Sequence, residues 1–380
     1  MAGLYIHIPF CAQFCTYCDY FSSIQVEKSG AFVRALLREI EERAALIGSY
    51  GVTFDTLYIG GGTPSLLTIE ELALILERVA QHYPSQLKEV TIELNPEDVT
   101  PQYATQLKEI GFNRVSLGVQ SFIDEHLRWM NRRHSVERSI ESFNHLRKAH
   151  FNNISIDLIF GFEKLSIEGW QYNLKRALEL SPEHISAYQL SIEKGTPLYR
   201  HYQKGLYTPT DDDSAYEQYR VLHNTLLESG FIQYELSNFA LAGRESQHNS
   251  SYWNFTPYFG FGPGAHSFID DRREWNLKGI SNYIEGWKRG ERLFGYERLS
   301  AVDHFNEVVM LSLRSVKGLD CKELERELHS SSLTAAQVEE FTEQLGQLVS
   351  HGTIIKEKGS YRIAPLKLFI SDSIITKLFL

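Results

Sequence analysis

The stretch LYIHIPFCAQFCTYC, residues 4–18, joins an apolar strand signal to three closely spaced cysteines. Leu4–Ile8 has the β-branched and aromatic composition of a strand, so Cys11, Cys15 and Cys18 follow the end of the first predicted strand. The chain has 4 cysteines in 380 residues, too few for a secreted disulfide scaffold. The clustering of three of them therefore indicates a different role.

The spacing Cys-x3-Cys-x2-Cys is compatible with three kinds of site. Thiolates hold four-iron, four-sulfur clusters, and three of them leave one iron open to a small chelating molecule. A structural zinc ion needs a fourth ligand, for which only Asp19, His7 or more distant groups are available. The third possibility is three reduced cysteines without a metal. The softness of the thiolate ligands favours the iron–sulfur cluster.

Strand and helix signals alternate through the first half of the chain. The predicted strands after the first are Phe54–Ile59, Val90–Leu94, Arg114–Leu117, Ile154–Ile159 and Ile185–Leu190. Helical patterns separate them, and one begins after Thr100-Pro101, a capping residue followed by proline. Six strand–helix units in series predict a parallel sheet, either open or curled into a partial barrel. In both cases ligands bind at the carboxyl ends of the strands.

Two turn-rich breaks divide the remainder of the chain. The first lies at residues 205–213 and the second near residues 290–300. The predicted domains are a core over residues 1–205, an aromatic and glycine-rich extension over residues 206–295 and a C-terminal domain over residues 296–380.

The C-terminal domain has the order of elements of a winged helix. Three predicted helices precede two short strands, which turn at residues 358–360. Winged helices commonly bind DNA, but the acidic side chains here would repel phosphate, and a protein contact or a lid is the expected role. Those side chains are Glu323, Glu325, Glu327, Glu339, Glu340 and Glu343. Residues 366–380 carry apolar side chains near helical spacing, and we expect them to pack into the body.

Composition and charge argue against several classes of protein. The 38 basic and 48 acidic side chains give a net charge of −10, whereas a nucleic-acid-binding protein usually needs a basic surface. No window approaches the ~18 consecutive apolar residues of a membrane span. The beginning of the sequence lacks the basic and apolar regions of a signal peptide. We therefore expect a cytoplasmic protein that is not integral to a membrane.

Polar or glycine-rich motifs follow four of the predicted strands. GGGTP (residues 60–64) could contact a ligand or could simply form a tight turn. ELNP (residues 93–96) could place a carboxylate in a site or could be a solvated strand end. Arg132 lies in NRRH, which could also be a basic surface patch. Asp157 lies inside an apolar strand, where a carboxylate is costly unless it binds a ligand or an ion-pair partner on a neighbouring strand. The motifs all map to the same predicted edge of the sheet, which favours a common site.

The opening motif resembles a known family. Residues 5–18, YIHIPFCAQFCTYC, resemble the start of radical S-adenosylmethionine (SAM) proteins of the oxygen-independent coproporphyrinogen oxidase type, and the resemblance extends over nearly the whole chain. It implies an α/β fold, a partial (β/α)6 TIM-like barrel with a smaller, mostly helical, winged-helix-like C-terminal domain. It also implies a [4Fe-4S] cluster on Cys11, Cys15 and Cys18, with SAM at the open iron.

The resemblance further implies which residues form the SAM pocket. In the family, the glycine-rich loop contacts the methionine moiety, and the carboxylate after the third strand is a SAM ligand. Carried over residue by residue, the SAM contacts of this chain are Tyr5, Tyr17, Gly61, Gly62, Thr63, Glu93, Gln120, Arg132 and Asp157.

Two features distinguish the branches of this family. Its coproporphyrinogen dehydrogenases carry another cysteine two residues after the third, and a long segment before the first strand. Here Cys18 is followed by Asp19 and Tyr20, and 10 residues precede Cys11. Both features resemble the heme-chaperone branch of the family.

A second motif, HNSSYW at residues 248–253, points to the same branch. Imidazole is a good iron ligand, and aromatic rings pack well on a porphyrin face, although composition alone favours ordinary core packing. In the resembled branch this motif is associated with heme binding. His248, Tyr252 and Trp253 are therefore the candidate heme-binding residues.

The resemblance implies a heme chaperone that holds the cluster, SAM and heme and passes heme to acceptor proteins, with membrane-bound cytochromes among the candidates. No residue is assigned a catalytic role. The alternative is an oxygen-independent coproporphyrinogen III dehydrogenase in porphyrin biosynthesis, in which radical cleavage of SAM starts an oxidative decarboxylation. A third hypothesis, from a different functional class, is an interaction protein that is stabilised by zinc.

Overall fold

Six parallel strands, each followed by helical segments, form the first half of the protein. The structure is a computed structural model and describes residues 2–329 and 333–380. The elements of this half are β1 (Ala2–Ile8), α1 (Ser29–Gly48), β2 (Phe54–Gly61), α2 (Ile69–His82), β3 (Ser85–Leu94), α3 (Pro101–Glu109), β4 (Arg114–Gln120), α4 (Asp124–Trp129), α5 (Val136–Lys148), β5 (Ile154–Phe160), α6 (Ile167–Glu179) and β6 (His184–Gln189).

The six strands follow one another in the sheet in chain order, from β1 to β6. All neighbouring pairs among them are parallel, for example Ile6 beside Ile59 and Asp157 beside Ser186. A doubly wound sheet would reverse its strand order near the middle, and this sheet does not. The protein is therefore a partial (β/α)6 barrel of the TIM type, as the resemblance to radical SAM proteins implied.

Side chains along the strands alternate between an apolar face toward the helices and a more polar face toward the barrel interior. On β1, Leu4, Ile6 and Ile8 are fully buried against the helices, whereas Tyr5 and His7 point to the barrel interior. The predicted helix start at Thr100 is confirmed, because its side chain accepts a hydrogen bond from the Tyr103 amide. The apolar core thus lies between the sheet and the surrounding helices, and the interior of the barrel is largely polar.

The following segment adds strands to both edges of the barrel sheet. The elements are α7 (Pro197–Gln203), α8 (Asp212–Glu228), β7 (Ile232–Gln233), β8 (Asn238–Ala240), α9 (Gln247–Ser251), β9 (Tyr258–Phe261), β10 (His266–Ile269), β11 (Arg272–Asn276), α10 (Ile280–Arg289) and β12 (Phe294–Arg298). β8 pairs with β6, and β9 pairs with β1, so the sheet has 12 strands. The short helix α9 joins β8 to β9 across the gap between the two barrel edges.

The last segment has the winged-helix order expected from the sequence. Its elements are α11 (Ala301–Leu313), β13 (Leu319–Asp320), α12 (Cys321–Leu328), α13 (Ala335–Ser350), β14 (Ile354–Glu357), β15 (Ser360–Ile363) and α14 (Ser371–Ile375). This segment has its own core, which includes Phe305 and Phe341, and Ile374, Ile375 and Leu378 of the tail join it. In the described parts of the chain, no helix combines the length and the apolar composition required to cross a membrane.

Candidate functional site

A cavity of about 350 Å³ lies at the carboxyl ends of the barrel strands. This volume falls within the roughly 300–1,000 Å³ of sites that bind small molecules. Most of the residues proposed from the sequence line it together. They are Cys11, Cys15, Tyr17, Cys18, Gly61, Gly62, Thr63, Glu93, Gln120, Arg132 and Asp157. Motifs from five strand ends therefore meet in one cavity, because parallel strands in a barrel end at the same rim.

Backbone hydrogen bonds hold the cysteine loop over this cavity. The Cys11 amide donates to the Ser23 carbonyl at 2.9 Å, and the Ser23 amide donates to the Pro9 carbonyl at 2.7 Å. Farther along the loop, the Thr16 amide donates to the Met130 carbonyl at 3.1 Å. The loop is thus anchored on both sides, next to β1 and next to the segment after α4.

The three thiols are half-buried and contact polar side chains of the cavity wall. The Thr63 hydroxyl donates to Cys11 Sγ at 3.5 Å, and Arg132 Nη1 donates to Cys15 Sγ at 3.3 Å. Burial raises the pKa of the Cys11 thiol, and it raises the pKa of the Cys18 thiol to about 12. As isolated groups these two would stay protonated at neutral pH, whereas metal coordination deprotonates a thiol.

The cysteine loop is not arranged as a site for a single metal ion. Within residues 2–329 and 333–380, no three His, Cys, Asp or Glu side chains converge as ligands for one metal ion. The cysteine ligands of an iron–sulfur cluster bind different iron atoms of the cluster, so they stand apart around it.

Glycines bring the second strand close to both the cysteine loop and Glu93. A Cβ atom at Gly60 would lie 2.8 Å from the carboxylate carbon of Glu93, and one at Gly62 would lie 2.5 Å from the Phe10 carbonyl oxygen. Gly61 has φ of 111°, which L side chains rarely adopt. The GGGTP motif therefore permits close backbone approach while four of its residues, from Gly61 to Pro64, still line the cavity.

Two carboxylates face the interior of the cavity. Glu93 accepts hydrogen bonds from the Tyr58 hydroxyl at 2.8 Å and from the Gly61 amide at 2.9 Å. Burial, and secondarily the charge of Asp157, raise the pKa of Glu93 to about 7. Both side chains are surrounded by protein although the cavity leaves them partly accessible. A cationic ligand placed here would stabilise the ionised form of Glu93.

Asp157 is held by hydroxyl groups. Ser116 Oγ lies 2.9 and 3.1 Å from the two Asp157 oxygens, and Ser155 Oγ lies 3.3 Å from one of them. Burial raises the pKa of Asp157 as well. Hydroxyl partners satisfy the carboxylate without neutralising it, so its charge remains available to a ligand.

The fourth strand bulges where it reaches the cavity. Between Leu117 and Gln120 the register with β5 shifts, and Gln120 has φ of 68°, in the left-handed region. Arg132 Nη2 donates to the Gly118 carbonyl at 2.9 Å, while its buried Nε has no hydrogen-bond partner among the described residues. A strained backbone position and an unmatched donor thus both occur at the cavity, as they often do at ligand sites.

Four residues proposed from the sequence do not line the cavity. Tyr5 lies lower on β1, where its hydroxyl is 3.1 Å from His7 Nδ1. His248 is fully buried, with Nδ1 at 2.8 Å from Thr56 Oγ1 and Nε2 at 2.9 Å from the Tyr252 hydroxyl. Burial lowers the pKa of His248 to about 3. Tyr252 and Trp253 are half-buried.

Sequence reasoning missed several residues of the cavity wall. Ser116, Ser186 and Tyr188 line it, and strand alternation with Asp157 could have identified them, because they occupy the inward positions of β4 and β6. Tyr20, which directly follows the cysteine loop, also lines the cavity. Asn249 does so as well, although it lies 92 residues after Asp157 and no local pattern predicts that contact.

The chain is similar to a known superfamily and, over most of its length, to named proteins. Residues 5–177 match the model of the Radical SAM superfamily. The protein named Heme chaperone HemW of Bacillus subtilis is 37% identical over 331 residues, which cover 85% of this chain and 86% of that protein. Its namesake of Mycobacterium tuberculosis is 35% identical over 324 residues, covering 83% and 82%.

Similarity extends to animal proteins and to a solved bacterial structure. One animal relative is the mitochondrial radical S-adenosyl methionine domain-containing protein 1 of Mus musculus. It is 31% identical over an alignment of 390 positions, which covers 99% of this chain and 87% of that protein. The structure of coproporphyrinogen III oxidase (HemN), a radical SAM enzyme of Escherichia coli, superimposes with a TM-score of 0.85. It covers 100% of this chain and 90% of that one at 24% identity, which shows a common fold.

Proposed function

The chain belongs to the HemW family of radical SAM proteins, and from that premise we propose that it is a heme chaperone. It would hold a [4Fe-4S] cluster and SAM in the barrel cavity, bind heme and transfer the heme to acceptor proteins. The observation that carries the cluster and SAM part is the meeting of three thiols, two carboxylates and an arginine in one cavity. The heme part rests on relatives named heme chaperones.

The residues of the cavity have the chemistry that the cluster and SAM require. Cys11, Cys15 and Cys18 would hold the cluster as thiolates, and three thiolates leave one iron for the ligand. Among the described residues, the buried Nε of Arg132 has no hydrogen-bond partner, and a guanidinium suits the carboxylate of SAM. The carboxylate of Glu93 and that of Asp157 suit the cationic and hydroxyl groups of SAM.

When bound together, cluster and SAM supply one-electron chemistry. The chain contributes positioning: Thr63 donates a hydrogen bond to Cys11 Sγ and Arg132 donates one to Cys15 Sγ, so both sulfurs are held at the cavity wall. Tyr58 and Ser116 orient the two carboxylates toward the cavity. Gln120 lines the cavity at the β4 bulge, where its backbone has a left-handed conformation, so its carboxamide would be available to a ligand.

Metal content tests the cluster assignment. After anaerobic reconstitution we expect about four irons and about four sulfides per chain. Cys15→Ala should lose them, whereas Cys321→Ala, a cysteine of the C-terminal segment outside the cavity, should retain them. Full iron content in Cys15→Ala would overturn the assignment. Zinc without iron or sulfide would instead select the zinc-stabilised interaction protein.

An anaerobic assay separates the chaperone from the dehydrogenase. The reconstituted protein should bind heme stably and pass it to a heme-free cytochrome, with no consumption of coproporphyrinogen III. Formation of protoporphyrinogen in the presence of SAM and a reductant would overturn the pure chaperone proposal.

His248, Tyr252 and Trp253 are the proposed heme contacts within the HNSSYW motif. Ligation by His248 requires its ring to leave Thr56 or Tyr252, because both nitrogens are engaged. Heme titrations of the wild type and His248→Ala test this assignment through the Soret band. A weakened affinity with a shifted band supports ligation, whereas an unchanged titration removes His248 as the ligand.

A further inference from the structure

The helix α9 carries the HNSSYW motif, and its first turn is fixed inside the barrel wall. Glu89, on β3 and almost fully buried, accepts hydrogen bonds from the Gln247 amide at 2.8 Å and the His248 amide at 3.0 Å. It also accepts one from Ser246 Oγ at 3.1 Å. A carboxylate at a helix start complements the helix dipole. Glu89 precedes Glu93 by four positions, about 13 Å along the strand, so α9 enters from the side opposite the cysteines.

A ring stack connects this helix to one of the cavity carboxylates. The His248 ring stacks on Tyr58, with 5.2 Å between centroids and 27° between planes. Tyr58 in turn donates its hydroxyl hydrogen to Glu93 at 2.8 Å. Gly3 makes room for the histidine, because a Cβ there would lie 3.1 Å from His248 Cε1. The position of α9 and the position of Glu93 therefore depend on each other.

A chain of hydrogen bonds connects the helix to the other carboxylate. Ser155, which donates to Asp157, lies 2.8 Å from His184 Nδ1. His184 Nε2 lies 2.8 Å from the Tyr234 hydroxyl, which accepts a hydrogen bond from the Ser246 amide at 3.4 Å. Ser246 is the N-cap of α9. The helix is thus tied to both carboxylates from the interior of the barrel.

One side chain of α9 reaches the cavity itself. Asn249 lines the cavity, and within the described chain its carboxamide has no hydrogen bond to protein; its backbone amide bonds to the Ser246 side chain. A carboxamide has two donors and one acceptor with two lone pairs, which matches the mixed polar edges of a nucleoside. The neighbouring Gln247 carries the same group but is exposed to solvent.

We propose that Asn249 is a ligand-contacting residue of the SAM cavity and hydrogen-bonds the adenosine part of SAM. The methionine part belongs at the cysteine side, where Arg132 lies and the open iron would be, so the nucleoside is the part that extends toward α9. The inference rests on the proposed binding of SAM. It gives one residue of the HNSSYW motif, Asn249, a contact with SAM that does not depend on heme binding by His248.

Equilibrium binding of SAM to the cluster-reconstituted protein tests this inference. Asn249→Ala should bind SAM about tenfold more weakly than wild type, the effect of losing one or two hydrogen bonds. Gln247→Ala, on the exposed side of the same helix, should bind SAM as wild type does. Asn249→Asp keeps the shape but loses the donors and adds a negative charge near Glu93 and Asp157, and it should also weaken binding.

The outcomes separate this inference from the proposed function. If the wild type binds no SAM, the proposed function fails. If it binds SAM and Asn249→Ala binds it equally well, the contact is overturned. Weakened heme binding with unchanged SAM binding in Asn249→Ala also overturns it, because α9 would then serve heme alone. Equal melting temperatures of Asn249→Ala and Gln247→Ala confirm that the loss of affinity is local.

Discussion

Two interior glutamates, one fully buried and one facing a cavity, show how differently one residue type is used in this fold. Glu39 on α1 is fully buried and accepts four hydrogen bonds, two at each oxygen, from Arg43, Asn276, Gly262 and Tyr283. Glu93 accepts two, from Tyr58 and Gly61, and faces the cavity.

The difference is one of unused acceptor capacity. The four donors of Glu39 include the cation Arg43, and they come from α1, β11, α10 and the loop after β9, so the carboxylate joins four parts of the fold. The two oxygens of Glu93 retain lone pairs that no protein group uses among the described residues. A saturated carboxylate stabilises the fold, whereas an unsaturated one in a cavity is available to a ligand.

The same substitution at both glutamates tests this contrast, and the larger effect is expected at Glu39. Glu39→Gln leaves Arg43 buried without its counter-charge and places an amide against donors such as the Gly262 N–H. Removal of one partner of a buried pair costs about 3–5 kcal/mol of unfolding free energy. Denaturant unfolding measures it, with Glu42→Gln at an exposed position of the same helix as the control. Equal stabilities of Glu39→Gln and Glu42→Gln would contradict a stabilising role of the Glu39 carboxylate.

Glu93→Gln should leave the free energy of unfolding equal or higher, because it removes a largely enclosed carboxylate that has no cationic partner among the described residues. Its effect should appear in ligand binding. Hydrogen bonds to charged groups contribute about 1.5–3 kcal/mol, so SAM affinity should fall by roughly tenfold to a hundredfold. Titration calorimetry on the reconstituted protein measures this. A variant that loses stability but binds SAM normally would reverse the roles of the two glutamates.

The pH dependence of stability sharpens the contrast. Burial raises the pKa of Glu93 from its ordinary value of 4.5 to about 7, so the folded state holds this proton more tightly than the unfolded chain does. The resulting stabilisation is complete below about pH 4.5 and is lost as the pH rises through about 7. Glu235, whose pKa burial also raises to about 7, contributes in the same window.

Unfolding free energies of the ligand-free protein between pH 4.5 and 8 measure this fall. Glu93→Gln should make the decline smaller, and Glu93→Gln combined with Glu235→Gln should make it smaller again. An unchanged slope in both variants would show that neither carboxyl carries the shifted pKa.

The smallest effect is expected at Gln120, where the cavity stores backbone strain. Its φ of 68° is unfavourable for most L residues by about 1–2 kcal/mol. Gln120→Gly should therefore stabilise the fold by up to about 1 kcal/mol and weaken SAM binding. Gln120→Asn tolerates the same backbone and keeps an amide, so it serves as the control. Destabilisation by glycine would contradict the presence of strain at this position.

Local sequence patterns are sufficient to predict most of the barrel. The six strands and the cap at Thr100 lie where the sequence places them, with strand boundaries that differ by a few residues. Short elements escaped notice: α9 has 5 residues, less than two helical turns, and shows no periodicity. The winged-helix order was visible because its helices are amphipathic and its strands flank a Gly turn.

The candidate site divides in the same way. The cysteine spacing, GGGTP and Glu93 are local signals, and a strand-end rule predicted that they would share one edge. The inward direction of Asp157 and its hydroxyl partners on neighbouring strands depend on sheet register, which no single motif contains.

The amino-acid sequence by itself determined the order of elements, the cysteine loop and the family, because these depend on spacing between near neighbours. Tertiary structure alone decided that the sheet curls into a partial barrel. It also decided that Glu93 accepts a hydrogen bond from Tyr58 and keeps acceptor sites that no described residue occupies, whereas those of Glu39 are all used. Finally, it decided that His248 is enclosed while Asn249 lines the cavity. The physical reason is distance along the chain: β3 and α9 are more than 150 residues apart, and only closure of the barrel brings Glu89 to Ser246.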